Sequence, residues 1–209
     1  MKIPITRGNH KLPYSTAILN TGGPALMCPS RALGLCQLEK LGCPDRCYAR
    51  KAEISYGKVS IQWRMRQLEY WRSRGVTRIV DDFLDLKRRA RTEVTAIRLN
   101  EAGDFQTRQD VEQAVALAFL LRDHHVTVYC YTARHDLLAE WIPGQLDLVI
   151  NGSGFMAHNQ YLVAPKGTAE DKIRELWKSG ARARRCAGDC RKCSLCLEAR
   201  GLTIVNELH

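Results

Sequence analysis

Val94–Asp136 reads "VTAIRLNEAGDFQTRQDVEQAVALAFLLRDHHVTVYCYTARHD", two β-rich runs separated by one amphipathic stretch. Val94–Leu99 carries the β-branched and apolar residues that suit a pleated, half-buried strand. Thr107 and Asp110 then stand three residues apart ahead of Val111, Val115, Ala118 and Leu121, the pattern of a capping box opening an apolar helix face. Val126–Tyr131 returns to strand-forming residues. The alternation continues with a short helix over "RHDLLAEWI" (Arg134–Ile142) and a third strand over "LDLVI" (Leu146–Ile150). Strand, helix, strand, helix, strand is how a parallel α/β layer is built, so the chain is expected to form a partial βα barrel or an open parallel sheet.

In such sheets, functional groups collect in loops beyond the carboxyl ends of the strands. That rule selects Asn100–Phe105, Thr132–Asp136 and Asn151–Phe155, and places Glu101, Asp104, Arg134, His135 and Asn151 on one face. Outside this core, residues 1–27 read as irregular, and Cys47–Arg74 reads as mainly helical, with Gly57 a break and Gly75 a C-cap. Thr77–Arg91 and Ala169–Ser179 predict further helices, and "LTIVN" (Leu202–Asn206) a last strand. No linker interrupts the chain, so residues 1–209 are expected to form a single α/β domain with cysteine-bearing ends folded back on it.

With 209 residues, 45% of them hydrophobic, the chain can bury a substantial core. The start has no apolar signal core, and "AVALAFLLRDHH" is too short to span a membrane, so a cytoplasmic location is expected. Thiols in such a compartment stay reduced, and nine cysteines there point to metal ligation or redox chemistry rather than disulfides. Four lie within "CAGDCRKCSLC": Cys186, Cys190, Cys193 and Cys196. Structural zinc takes two cysteine knuckles separated by a longer loop, whereas an uninterrupted C-x2-C-x2-C run suits a 4Fe-4S cluster. An iron–sulfur cluster is therefore expected, with zinc as the alternative. A first group, Cys28, Cys36, Cys43 and Cys47, allows a second cluster or supplies ligands to a shared one; Cys28, Cys43 and Cys47 are the candidates. Cys130, inside a predicted strand, reads as a buried small apolar residue.

The net charge of +10 favours an anionic partner. Arg50–Arg91 holds twelve Lys or Arg against five Asp or Glu, and Arg174–Lys192 seven against two; both stretches adjoin cysteines. Tyr56, Trp63, Tyr70 and Trp71 are interleaved with the first stretch, a mixture that suits phosphate contact plus base stacking. The residues expected to meet nucleic acid, DNA above all, are Lys58, Trp63, Arg64, Arg66, Arg182, Arg184 and Arg185.

The "CP" at Cys28, "CPDRCYARKAE" from Cys43, "EAGDF", "YTAR" and the terminal "CAGDCRKCSLC" together resemble the phage gene product eighty-eight domain family, over roughly Cys28–Cys196. The resemblance implies a protein of phages or mobile elements and specifies no reaction. A looser similarity to radical SAM enzymes lies in the partial barrel and in the C-x3-C-x2-C spacing of "CAGDCRKC", although that run follows the barrel-like segments instead of preceding them. The leading expectation from the residues is a 4Fe-4S-dependent DNA endonuclease. Glu101, Asp104 and His135 would supply acid–base chemistry, Arg134 would stabilise phosphorane charge, and the cluster or a divalent cation would act as Lewis acid. The alternatives are a redox-sensing DNA-binding protein and a radical SAM-like enzyme.

Overall fold

Alternating side chains along each strand sort this chain into two chemically different faces of one sheet. In the computed structural model, residues 3–9, 11–37, 47–138, 146–198 and 200–208 are described. Among these residues are eight strands: β1 (Thr6–Arg7), β2 (Thr16–Leu19), β3 (Ala96–Leu99), β4 (Thr127–Thr132), β5 (Leu148–Ser153), β6 (Asn159–Ala164), β7 (Ala183–Arg185) and β8 (Leu202–Glu207). They lie in the order β1-β2-β3-β4-β5-β6-β8-β7, and only the β1–β2 pair is antiparallel. The expected parallel α/β layer is thus present as an eight-stranded, mostly parallel sheet flanked by helices.

Among the described residues, six α-helices accompany it: α1 (Pro29–Ala32), α2 (Tyr48–Ser73), α3 (Val76–Arg89), α4 (Arg108–Arg122), α5 (His135–Leu138) and α6 (Ala169–Lys178). The Thr107 capping box holds as read: Thr107 Oγ1 accepts from the Asp110 N–H, and Asp110 Oδ2 accepts from the Thr107 N–H at 2.8 Å. Gly57 does interrupt α2, at φ +56 and ψ −143, a conformation that glycine alone takes without strain. Gly75 does not end a helix; it precedes α3 in extended conformation as its N-cap. Ala139–Ile142 of the expected short helix, and Cys43, lie outside the described residues.

Ala17, Leu19, Ile97, Leu99, Val128, Cys130, Leu148 and Ile150 face one way and meet Trp71, Ile79, Phe83, Val111, Leu117 and Leu121 in the main core. Cys130 is fully buried there, the small apolar filler its strand position suggested. Two expectations need correction. Residues 1–27 are not all irregular, because β2 is a buried strand paired with β3; its four residues between Pro13 and "NTGGP" are too few to show a period. Asn151 and Gly152 continue β5 instead of starting a loop, and Asn151 is fully buried.

Parallel neighbours usually need a crossover of about a dozen residues or more. β5 and β6 manage with Gly154–His158, because β6 begins beside Asn151 and so overlaps only the end of β5. His158 secures this connection: its ring is 5% exposed, and Nδ1 accepts the Ile150 N–H at 3.0 Å. Between β2 and β3 the two following loops touch backbone to backbone, since any side chain on Gly22 would collide with the main chain of Asp104. No helix among the described residues is long and apolar enough to cross a membrane.

Two outcomes follow from these contacts. Gly22→Ala should lower stability by roughly 3 kcal/mol through backbone overpacking, read as a reduced denaturant midpoint. Burial holds the His158 imidazole below its ordinary range, so the unfolded chain takes up that proton first as pH falls. The stability due to neutral His158 is therefore complete above about pH 6.5 and is lost as pH drops from there towards the folded-state value. Urea titrations from pH 7.5 to 5 should show this decline, and His158→Gln, which keeps an acceptor for Ile150, should flatten it.

Candidate functional site

Where the parallel strands end, short amides and one carboxylate tie neighbouring loops together. Asn20, just beyond β2, donates through Nδ2 to Gln67 Oε1 of α2 at 2.7 Å and accepts the Ala102 N–H at 2.6 Å. Asn100, beyond β3 at φ +57, accepts the Thr21 hydroxyl at 2.7 Å. Asp104 is 4% exposed; its carboxylate accepts the Ser30 hydroxyl at 2.5 Å and the N–H groups of Ala133 and Phe105, each at 2.8 Å. Burial raises its pKa against these hydrogen bonds. Asp104 is thus a crosslink between α1 and the loops after β3 and β4.

The first cysteine group is carried by this network. Cys28 directly precedes α1, whose Ser30 is fixed by Asp104. At the other end of the segment, Gln37 Nε2 donates to Ser153 Oγ at 2.8 Å and to the Tyr161 carbonyl at 2.7 Å, pinning it to β5 and β6. Cys47 caps α2 and packs with Ala25, Ala49 and Ala102. Glu53 accepts the Ala25 N–H at 2.7 Å and pairs with Arg64 at 2.6 Å, holding the turn before Cys28 against the helix. Burial, with the Asp104 charge adding to it, pushes the Cys28 thiol up to about 12.

The second group forms a strap over the sheet face opposite the helices. Its backbone is held at widely spaced points: the Cys186 N–H donates to Val205 of β8 at 2.8 Å, and the Cys190 N–H to Lys11, ahead of β2, at 3.1 Å. The Cys196 carbonyl accepts from Asn151 Nδ2 at 3.0 Å, the Glu198 carbonyl from Asn159 Nδ2 at 2.8 Å, and the two asparagines bond each other. Beneath the strap lie Arg98, Tyr129, Tyr131 and Tyr161. The Arg98 guanidinium sits 4.8 Å from the centre of the Tyr131 ring and donates to the Tyr48 hydroxyl at 3.0 Å, while its buried Nε has no partner. Tyr131 meets Tyr161 edge to face at 5.1 Å and packs in one cluster with Cys196. Burial drives the Cys196 thiol up to about 12 and raises Cys190 as well. Among the described residues, no three His, Cys, Asp or Glu side chains are gathered as a metal-holding group.

The loop residues read from the sequence are brought to one end of the sheet, yet mostly engage one another. Arg134 is 5% exposed, clamped to Asp136 through Nε and Nη2 at 2.8 Å and to the Phe105 carbonyl at 2.7 Å. Glu101 pairs with Arg64 at 3.1 Å. His135 is exposed and packs edge-on to Phe155. Of the residues expected to meet nucleic acid, Lys58, Arg66, Arg182 and Arg184 are exposed, and so is Arg185, which pairs with Glu170 and Glu207. Arg64 is a correction: at 6% exposure, between Glu53 and Glu101, it holds the fold rather than a phosphate. Trp63 is partly buried, while Tyr70 and Trp71 belong to the core. Sequence reading missed Arg98, Tyr131, Ser30 and Gln37. The one visible signal was Arg98 itself, a cation in the middle of a predicted strand.

Asp104→Asn replaces an acceptor by an amide whose N–H groups face other donors. It should lower stability by about 3 kcal/mol and expose the α1 segment to proteolysis, whether or not any activity is assayed.

Comparison with curated proteins and with solved structures returned no match. A family model described as Gene product 88 matches residues 4–152. The match takes in Cys28–Cys47, the α2 helix and the loops after β3 and β4, and stops before the strap, so the resemblance read as far as Cys196 is matched only through its first three-quarters. Because the match covers most of the chain and all of the Asp104 network, this chain belongs to the Gene product 88 family.

Proposed function

We propose that this chain is an iron–sulfur protein that binds nucleic acid, with Cys186, Cys190, Cys193 and Cys196 as the thiolate set. One observation carries the reading: the run that holds four cysteines is bonded through its backbone to β8, to Lys11 and to Asn151, over a sheet face that presents Arg98, a guanidinium whose buried Nε has no partner. Four soft sulfur donors suit iron–sulfur ligation, and a nearby cation offsets the negative charge that four thiolates bring. When bound, a cluster with four thiolates supplies one-electron chemistry or structural bracing. The chain's own residues do the rest: Asn151 and Asn159 fix the strap, and the tyrosines shield it from water. Cys28 and Cys47, joined by Cys43, are the candidates for a second site.

The strap also supports a curled, partial-barrel form for the sheet. From Cys186, which follows β7 and bonds Val205 of β8, to Cys190 beside Lys11, four residues reach at most about 14 Å. Flat strands from β2 to β8 would span about 24 Å.

Lys58, Arg66, Arg182 and Arg184 supply exposed positive charge for phosphate contacts, which makes binding salt-dependent. A DNA endonuclease is the second reading, favoured by the exposed His135 and the partly open Glu101 in adjacent loops, where a divalent cation could join them. Asp104 and Arg134 serve either reading by positioning those loops.

Protein purified without oxygen should be brown and carry iron and acid-labile sulfide, and Cys193→Ser should lose most of both; stoichiometric zinc in colourless protein would sink the cofactor reading. Gel shifts on duplex and single-stranded DNA should weaken as salt rises, with Arg182→Glu and Arg184→Glu each lowering the logarithmic salt slope by about one. DNA that never shifts at low salt rules out the nucleic-acid partner. Plasmid nicked only with Mg2+, and left whole by Glu101→Gln, would establish the endonuclease over the binding protein.

A further inference from the structure

α2 buries Ala49 and Glu53 ahead of the Gly57 break, and Arg64, Gln67, Leu68, Tyr70 and Trp71 after it. Around the break itself, Ile54, Tyr56 and Val59 are 72%, 71% and 75% exposed, more open than any other large apolar side chain among the described residues. One such residue would need no explanation; three at a single bend do. The bend is braced from within, because Arg64 donates to the Ala49 carbonyl at 2.9 Å and pairs with Glu53 at 2.6 Å, tying one half of the helix to the other. On the open side nothing stands within 4 Å of the place a Gly57 side chain would take. The three apolar groups are thus presented on a fixed elbow.

Charge narrows what can meet them. Tyr48–Leu68 holds one acid, Glu53, which is buried against Arg64, whereas Lys51, Lys58 and Arg66 are exposed. The elbow therefore shows cations and apolar groups with no exposed carboxylate among them, which calls for an anionic partner. Lys51, Ile54, Tyr56, Lys58, Val59 and Arg66 also alternate in kind along the chain. A helix that lies on a membrane separates its apolar face from its cations. Alternation fits instead a polymer that itself alternates phosphates with flat apolar bases. In a duplex those base faces are stacked out of reach, and in a single strand they are open to an exposed ring.

We infer that the α2 elbow is a single-strand nucleic-acid site, in which a base stacks on Tyr56 and lies against Ile54 and Val59 while Lys51 and Lys58 hold the flanking phosphates. The inference rests on the nucleic-acid reading above and adds to it the form of the ligand, unpaired in place of duplex. Tyr56 acts through its ring and does not need its hydroxyl; Lys58 acts through its charge.

The test is fluorescence anisotropy of the full chain with a labelled oligothymidylate of about 20 nucleotides, longer than one such site, and with a mixed-sequence duplex of the same length. At equal salt the oligothymidylate should bind about tenfold tighter than the duplex. Tyr56→Ala should weaken the single strand about tenfold and the duplex by less than about twofold, and Tyr56→Phe should keep the wild-type affinity within about twofold. Lys58→Ala should lower the logarithmic salt slope for the single strand by about 0.7. Both side chains are exposed, so these variants should unfold at the wild-type urea midpoint. A single strand bound as tightly by Tyr56→Ala as by wild type, or a duplex bound in preference, overturns the inference and leaves the nucleic-acid reading standing. Failure of wild type to bind either DNA at low salt overturns both; co-sedimentation with phosphatidylserine vesicles that Tyr56→Ala abolishes would then assign the elbow to a membrane surface.

Discussion

A single enclosed carboxylate, Asp104, is the joint on which the candidate site hangs. It accepts from Ser30, Ala133 and Phe105, and so binds the segment that carries Cys28 to the loops that follow two neighbouring strands. Each donor on its own would be an unpaired polar group away from water, costing about 1–3 kcal/mol. Meeting at one residue, they replace that cost with a crosslink. The contact of Gly22 with the Asp104 backbone makes the third side of this joint, because it leaves no room for the β2 and β3 loops to slide past each other.

The sheet divides its labour by face. Towards the helices its side chains are aliphatic, with Cys130 among them, and they supply the hydrophobic driving force. Towards the strap it presents Arg98 and three tyrosines, which bring hydroxyls and charge together with apolar rings. A strand with two such faces does not need polar residues at solvent. It needs a cover that can satisfy them, and the cysteine strap, bonded by backbone to β8, to Lys11 and to Asn151, is that cover.

Asparagine performs the same task in and beside the strands. Asn20, Asn151 and Asn159 each both donate and accept, and Asn100 accepts from Thr21, so each joins segments distant in sequence. Strand-end position is therefore a marker of two different things. It selects groups that meet a ligand, and it selects groups that bind loops together. Arg134 and Asp104 fall in the second class by burial, while His135, three residues beyond the end of β4, stays exposed.

Local pattern was enough for β3, α4, β4 and the Thr107 capping box, for the Gly57 break, and for Cys130 as core, because period, capping and torsional limits act over a few residues. Cysteine spacing likewise marked the strap as one unit. β2 and β6 escaped because short strands become strands only by pairing, and the partners are distant in sequence. The sequence by itself determined which residues carry charge, thiol and carboxylate, and that several would gather beyond the strands. Only the tertiary structure decided their employment: Arg64 and Asp104 became crosslinks, Arg98 came to lie under the thiols, and Lys11 met Cys190. Those outcomes depend on which face a residue turns to and on what lies across a fold from it, and neither is a property of neighbours along the chain.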